Sequence, residues 1–119
     1  MISRQLTANA KYVAEFLSVM GNEKRLLIMS YLIGGEMSVG VIAEKVLLSQ
    51  SALSQHLAKL RALDLVETRR DRQTIYYSCK SDAVRELLGK LDELVAEDKF
   101  PVSLQQPQGI RAPRRLKAA

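Results

Sequence analysis

Ser49-Gln50-Ser51-Ala52-Leu53-Ser54-Gln55-His56-Leu57-Ala58-Lys59-Leu60-Arg61-Ala62 is the stretch on which the fold turns. Leu53, Leu57 and Leu60 recur at i, i+4 and i+7, one apolar stripe on a helix. Ser49 is its N-cap residue. The opposite side carries Gln50, Ser51, Ser54, Gln55 and Lys59, and no acidic residue occurs from Ser49 to Leu63. Solvated helices of this length ordinarily mix both signs of charge. A face of Ser and Gln near a helix N-terminus, backed by Lys, suits the major groove of DNA. Gln can bond adenine through two hydrogen bonds, Ser reaches bases or phosphates, and the helix N-terminus favours a phosphate. By itself the same face also fits a polar surface with no partner.

The neighbours on either side narrow the choice. Upstream, Ser38 opens a short helix with Val41, Ile42 and Val46, and Leu47-Leu48 connects it to the first stretch. Two short helices so joined make a helix-turn-helix candidate. Before them, Asn22 caps a helix containing Leu26, Met29, Leu32 and Ile33, with Glu23 in its first turn and Gly34-Gly35 at its end. Earlier still, Val13, Phe16, Leu17 and Met20 form a helical stripe that Gly21 ends. Downstream, Leu65 to Arg69 and Thr74 to Cys79 are rich in Val, Thr, Ile and Tyr and flank the tip Arg70-Asp71-Arg72-Gln73, which reads as a hairpin. Its arginines Arg69, Arg70 and Arg72 suit phosphates and a minor groove. A charged hairpin that resists edge aggregation would look the same, but beside the helix face the DNA reading prevails. Ser81 then caps a last helix with the stripe Val84, Leu87, Leu88, Leu91, Leu94 and Val95.

The expected fold is mainly α with a small β-hairpin wing: a winged helix-turn-helix in the order α-α-α-α-β-β-α. Residues 1–98 form the DNA-binding and dimerisation domain, and residues 99–119 a basic, disordered tail. The composition agrees: 119 residues, 47% hydrophobic and 26% charged, bound one modest core, built without tryptophan. The net charge is +5, but residues 1–98 are neutral, and the tail adds Lys99, Arg111, Arg114, Arg115 and Lys117. Residues 50–73 carry +2 and residues 81–98 carry −4, so one region can face phosphates and the other cannot. The single cysteine excludes an intrachain disulfide. With no apolar leader and no membrane-length apolar run, the expected location is the cytoplasm, with no membrane partner.

The run from Ser49 to Arg70, followed by Gln73-Thr74-Ile75-Tyr76-Tyr77, resembles the ArsR/SmtB family of winged-helix regulators. Asn22 to Met29 and Met37 to Ala43 match that family's preceding helices, and the likeness spans about residues 10–97. It implies a homodimer that binds double-stranded operator DNA, built mainly from the first and last helices. The contact residues would be Val13, Phe16 and Leu17 with Val84, Leu87, Leu88, Leu91, Leu94 and Val95. The last stripe is also longer than one small domain needs to cover itself. The family's metal sites are not matched. Where the arsenic/lead type has a Cys-Val-Cys step this chain has Ser38-Val39-Gly40. The zinc type's positions fall on Ser81, Ala83, Leu94 and Glu97, and one carboxylate does not hold zinc. No cofactor and no metal at these sites are expected.

Cys79 and His56 are the remaining reactive side chains. Cys79 is read as a small, partly buried strand residue rather than a redox thiol, because the family's sulfur-responsive members use two cysteines. His56 is read as a packed histidine bonded to nearby backbone, ahead of a DNA contact or a pH-sensitive one. One His and one Cys supply no catalytic constellation, so no enzyme is expected. The sequence thus reads as a homodimeric repressor that occludes promoters without a metal ligand. The alternatives are a thiol-responsive regulator acting through Cys79 and a winged helix used as a protein-interaction module.

Overall fold

The structure, a computed structural model, describes residues 2–100. Every helix start read from a capping residue is closed by that residue's side chain. Asn22 Oδ1 accepts from the Arg25 amide at 3.0 Å at the start of α3 (Glu23–Ile33). Ser38 Oγ accepts from the Val41 amide at 3.3 Å, opening α4 (Val39–Val46). Ser49 Oγ accepts from the Ala52 amide at 3.1 Å, opening α5 (Gln50–Ala62). Ser81 Oγ accepts from the Val84 amide at 3.1 Å, opening α6 (Asp82–Ala96). Each bond satisfies one of the amides a helix leaves unpaired at its first turn.

The remaining elements are α1 (Arg4–Ala8), α2 (Ala10–Met20), β1 (Met37–Ser38), β2 (Val66–Asp71) and β3 (Thr74–Cys79). The order therefore contains two pieces more than α-α-α-α-β-β-α. α1 is one short turn of helix with no buried residue, so it has no apolar stripe to announce it. β1 is two residues long, too short for any period to register, yet it makes the wing a three-stranded antiparallel sheet in the order β1-β3-β2. Met37 pairs with Tyr77 and Ser38 with Tyr76, while Val66 pairs with Cys79 and Asp71 with Thr74. β2 runs through Arg70 and Asp71, so the hairpin tip is only Arg72-Gln73, with Arg72 at φ 62°. The four-residue tip expected from the charges is thereby shortened to a two-residue loop.

The chain divides into two units after Val84. In the first, the core is Ile28, Met29 and Leu32 of α3, Ile42 and Val46 of α4, and Leu53, Leu57 and Leu60 of α5, closed by Leu65, Val66, Tyr77 and Val84. The α5 stripe is buried as its spacing requires. α3 differs: Ile28 is fully buried, while Leu26 and Ile33 are half-buried. This helix packs against α4, α5 and β3, so its inward face is wider than one stripe. On α4, Ala43 is buried and Val41 is exposed. Val84 belongs to the first unit's core at 0% exposure, which removes it from the residues that can meet a second protomer. In α6 the apolar residues left over are Leu87, Leu88, Leu91 and Leu94, all half-buried, and Val95, 52% exposed.

Between α4 and α5 the chain turns through Leu47, which sits in the left-handed region (φ 59°, ψ 51°) and is 83% exposed. Its amide donates to the Ala43 carbonyl, ending α4. The left-handed backbone costs a non-glycine residue about 1–2 kcal/mol, and glycine returns roughly 0.5–1 kcal/mol of that as unfolded-chain entropy. Leu47→Gly is therefore expected to raise stability by about 0.5 kcal/mol or leave it unchanged, although a whole leucine side chain is removed. Urea unfolding checks this, and a loss beyond about 1 kcal/mol would show that the side chain packs.

Candidate nucleic-acid interface

Helix α5 places its side chains by periodicity alone. With Leu53, Leu57 and Leu60 inward, Gln50, Ser51, Ser54, Gln55 and Lys59 all fall on the exposed side. Gln50 and Ser51 occupy its first turn, which contains no acidic residue, while Lys59 and Arg61 lie in its last. The amide end thus stays open to an anion, and the cations sit where the helix dipole favours them. Arg61 Nη1 donates to the Tyr77 hydroxyl of β3 at 2.9 Å, tying α5 to the wing.

The wing arginines have different environments. Arg70 and Arg72 lie at the exposed end of the hairpin, where Arg70 Nη1 donates to the Arg72 carbonyl at 3.3 Å. Arg69 is engaged elsewhere. Its Nε donates to Glu36 Oε2 at 2.9 Å and its Nη2 to Glu36 Oε1 at 2.8 Å. Its guanidinium carbon also lies 4.5 Å from the centroid of the Tyr76 ring, its cross-strand partner. The Arg69 fork holds the Glu36 carboxyl below the usual carboxylate range, and the carboxylate raises the arginine in return. A planar bidentate pair stacked on an aromatic ring is a preferred arginine geometry. Arg69 therefore braces the wing against the segment before β1, and the cations at the tip are Arg70 and Arg72.

An open groove of about 340 Å³ joins the two parts. It is lined by Ser38, Val39 and Gly40 at the start of α4, Gln50 at the start of α5, and Gln73, Thr74 and Ile75 of the wing. The helix face, the groove and the hairpin tip make one polar surface within the first unit. Glu36, Tyr76 and Arg61 were not singled out from the sequence. The cross-strand placement of Tyr76 beside Arg69 was the available signal, and it depends on the hairpin register.

His56 is half-buried on α5 and bonds to a side chain rather than to backbone: its Nδ1 lies 3.1 Å from Arg25 Nη1. Burial chiefly, then the charges of Arg25, Lys59 and Lys24, push its pKa below the usual value of 6.5. Cys79 is 5% exposed in β3, with its Sγ 3.5 Å from the Ser81 carbonyl. Of the metal-site positions, Ser38 caps α4 and Ser81 caps α6, so each hydroxyl already serves a backbone amide.

An exposed second helix of a helix-turn-helix beside a basic hairpin defines a winged helix-turn-helix. Residues 22–68 match the family model described as "Bacterial regulatory protein, arsR family". The chain is 60% identical over 90 residues to the nodulation protein NolR of Rhizobium meliloti, covering 76% of this chain and 74% of that protein. The crystal structure of NolR from Sinorhizobium fredii superposes with a TM-score of 0.71 at 57% identity, over 79% of this chain and 94% of that one. The solution structure of the homodimeric winged helix-turn-helix DNA-binding domain of Mb0332 from Mycobacterium bovis superposes with a TM-score of 0.67 at 27% identity. That match covers 90% of this chain and 98% of the other. The protein belongs to the ArsR family of bacterial transcriptional regulators. Among the described residues no helix is long and apolar enough to cross a membrane.

Proposed function

We propose that this regulator is a cytoplasmic homodimeric repressor, active without a bound metal and without catalysis. It covers promoters by binding a pseudo-palindromic operator. The observation that carries the reading is the acid-free face of α5, where Gln50, Ser51, Ser54, Gln55 and Lys59 are all exposed beside the hairpin tip. In this reading α5 enters the major groove, with Gln55 and Ser51 meeting base edges and Lys59 meeting a phosphate. Arg70 and Arg72 contact the backbone beside it, and Arg69 keeps the wing in place. The apolar face of α2, where Leu17 is 50% exposed and Val13 and Phe16 are half-buried, and the apolar face of α6 support pairing of two copies. The homodimeric relative supports it too. Residues 99–119 lie outside the described residues except for Lys99 and Phe100, and form the proposed basic tail.

Selection from a random duplex pool at physiological salt tests this directly. The expected winner is a pseudo-palindrome with A·T-containing half-sites, because α5 offers Gln to adenine and no carboxylate to cytosine. Enrichment of no duplex would reject the DNA reading. Arg72→Ala adds a second check. It should weaken binding to every duplex alike and lower the slope of log affinity against log salt by about one unit, the loss of one phosphate contact. An unchanged slope removes Arg72 from the interface.

A further inference from the structure

We propose that Arg25 is a positioning residue for the recognition helix: its guanidinium ties the end of α2 to His56 and so sets how α5 presents Gln55. The proposal rests on the DNA-binding reading above. Arg25 lies in the first turn of α3, where its own amide is held by the Asn22 cap at 3.0 Å. From that fixed base the side chain reaches in two directions. Its Nε donates to the Val19 carbonyl in the last turn of α2 at 2.6 Å. Its Nη1 lies 3.1 Å from His56 Nδ1 on α5. A guanidinium is always protonated and only donates. His56 Nδ1 must therefore accept, which fixes the neutral Nε2–H tautomer.

This link supplies what leucine packing cannot. The contacts of Leu53, Leu57 and Leu60 hold α5 against the core but are non-directional. A helix with its side chains has a radius of about 5–6 Å, so rotating it by about 10° moves its surface atoms by about 1 Å. Hydrogen bonds to a base tolerate only a few tenths of an ångström before they weaken. His56 follows Gln55 in the chain, so a directional bond at His56 fixes the helix where the base-reading side chain leaves it. The charged groups facing the ring are Arg25 and Lys24 from α3 and Lys59 from α5. Protonating His56 turns Nδ1 into a donor pointed at a cation and breaks the link. Because burial and these three charges lower the pKa, the link is complete above about pH 6.5 and is lost as the pH falls through the depressed value.

The test compares the full chain with Arg25→Gln and His56→Asn, the latter placing an amide oxygen where Nδ1 accepts. The probes are the tightest duplex the unaltered protein selects from a random pool and a scrambled duplex of equal length. Arg25→Gln should lose about tenfold or more on the selected duplex, the worth of one charge-assisted hydrogen bond, and little on the scrambled one. As the pH falls from 7 through the depressed pKa of His56, the unaltered protein's preference for the selected duplex should fall, while that of His56→Asn stays high and flat. Equal losses of Arg25→Gln on both probes, or a pH profile of His56→Asn that matches the unaltered protein, would overturn the proposal. A DNA-free readout separates it from the DNA reading itself. Arg25→Gln at pH 7 and the unaltered protein at a pH where its own ring resonances show His56 protonated should shift the same α5 amide resonances, and unshifted amides would overturn the tether whether or not a duplex is selected.

Discussion

Leu91→Glu is expected to separate the dimer and abolish operator binding. Leu91 sits midway along the α6 stripe, half-buried, between Leu88 and Leu94, which are half-buried too. With Val84 absorbed by the core, these residues, Leu87 and the exposed Val95 are the apolar surface of α6 left for the proposed pairing. In the proposed pairing a carboxylate there would lie within the apolar stripe, and two-fold symmetry would set it near its own copy. Stranding an unpaired charge in an apolar contact costs about 3–5 kcal/mol. Glu86, Asp92 and Glu93 on the same helix add repulsion, and Lys90 already has Glu93 as a neighbour at 3.4 Å. The loss propagates to function, because one recognition helix makes too few phosphate contacts for tight binding at physiological salt. Sedimentation should show a monomer, and circular dichroism tells a folded monomer from an unfolded chain. A folded monomer that still protects the whole operator would contradict both the pairing role of α6 and the need for a dimer.

The second large effect is expected at Gln55. Gln55→Ala leaves the core stripe untouched, since the residue is exposed and opposite Leu53 and Leu57. What it removes is the group able to bond an adenine edge twice, worth about 1–3 kcal/mol of discrimination against the wrong base. Affinity should fall for the selected operator, and tolerance should rise at one base pair in each half-site. Binding to the operator and to its single-base variants measures this. Equal losses across all variants would assign Gln55 to the backbone instead.

Features that depend on neighbours in the chain were legible before the structure. Asn22, Ser38, Ser49 and Ser81 announce helix starts because a cap acts on an amide three residues on. The buried side of α5 follows from spacing, and with it the exposed Gln50, Ser51, Ser54, Gln55 and Lys59. Pairings between distant residues were not legible. Arg25 and His56 are 31 positions apart, and Glu36 and Arg69 are 33 apart. Nothing local marks either pair, so the sequence holds no sign of Glu36 as the partner of Arg69 and reads His56 as a residue bonded to backbone. β1 escaped because two residues carry no period, although it forms an edge of the wing sheet and leads the chain from Glu36 into α4. Val84 looked like the first residue of the pairing stripe because periodicity cannot say which end of a helix its own core has already covered.

In the proposed dimer two copies of α5 read one duplex about one helical turn, ~34 Å, apart. Inserting about 5 bp, half a turn, between the half-sites of the selected operator rotates one major groove to the far side. Affinity for the lengthened duplex should fall to that for scrambled DNA, while an insertion of about 10 bp costs less because the grooves face the same way again. Undiminished affinity after the half-turn insertion would contradict this and mean that the two recognition helices do not act together.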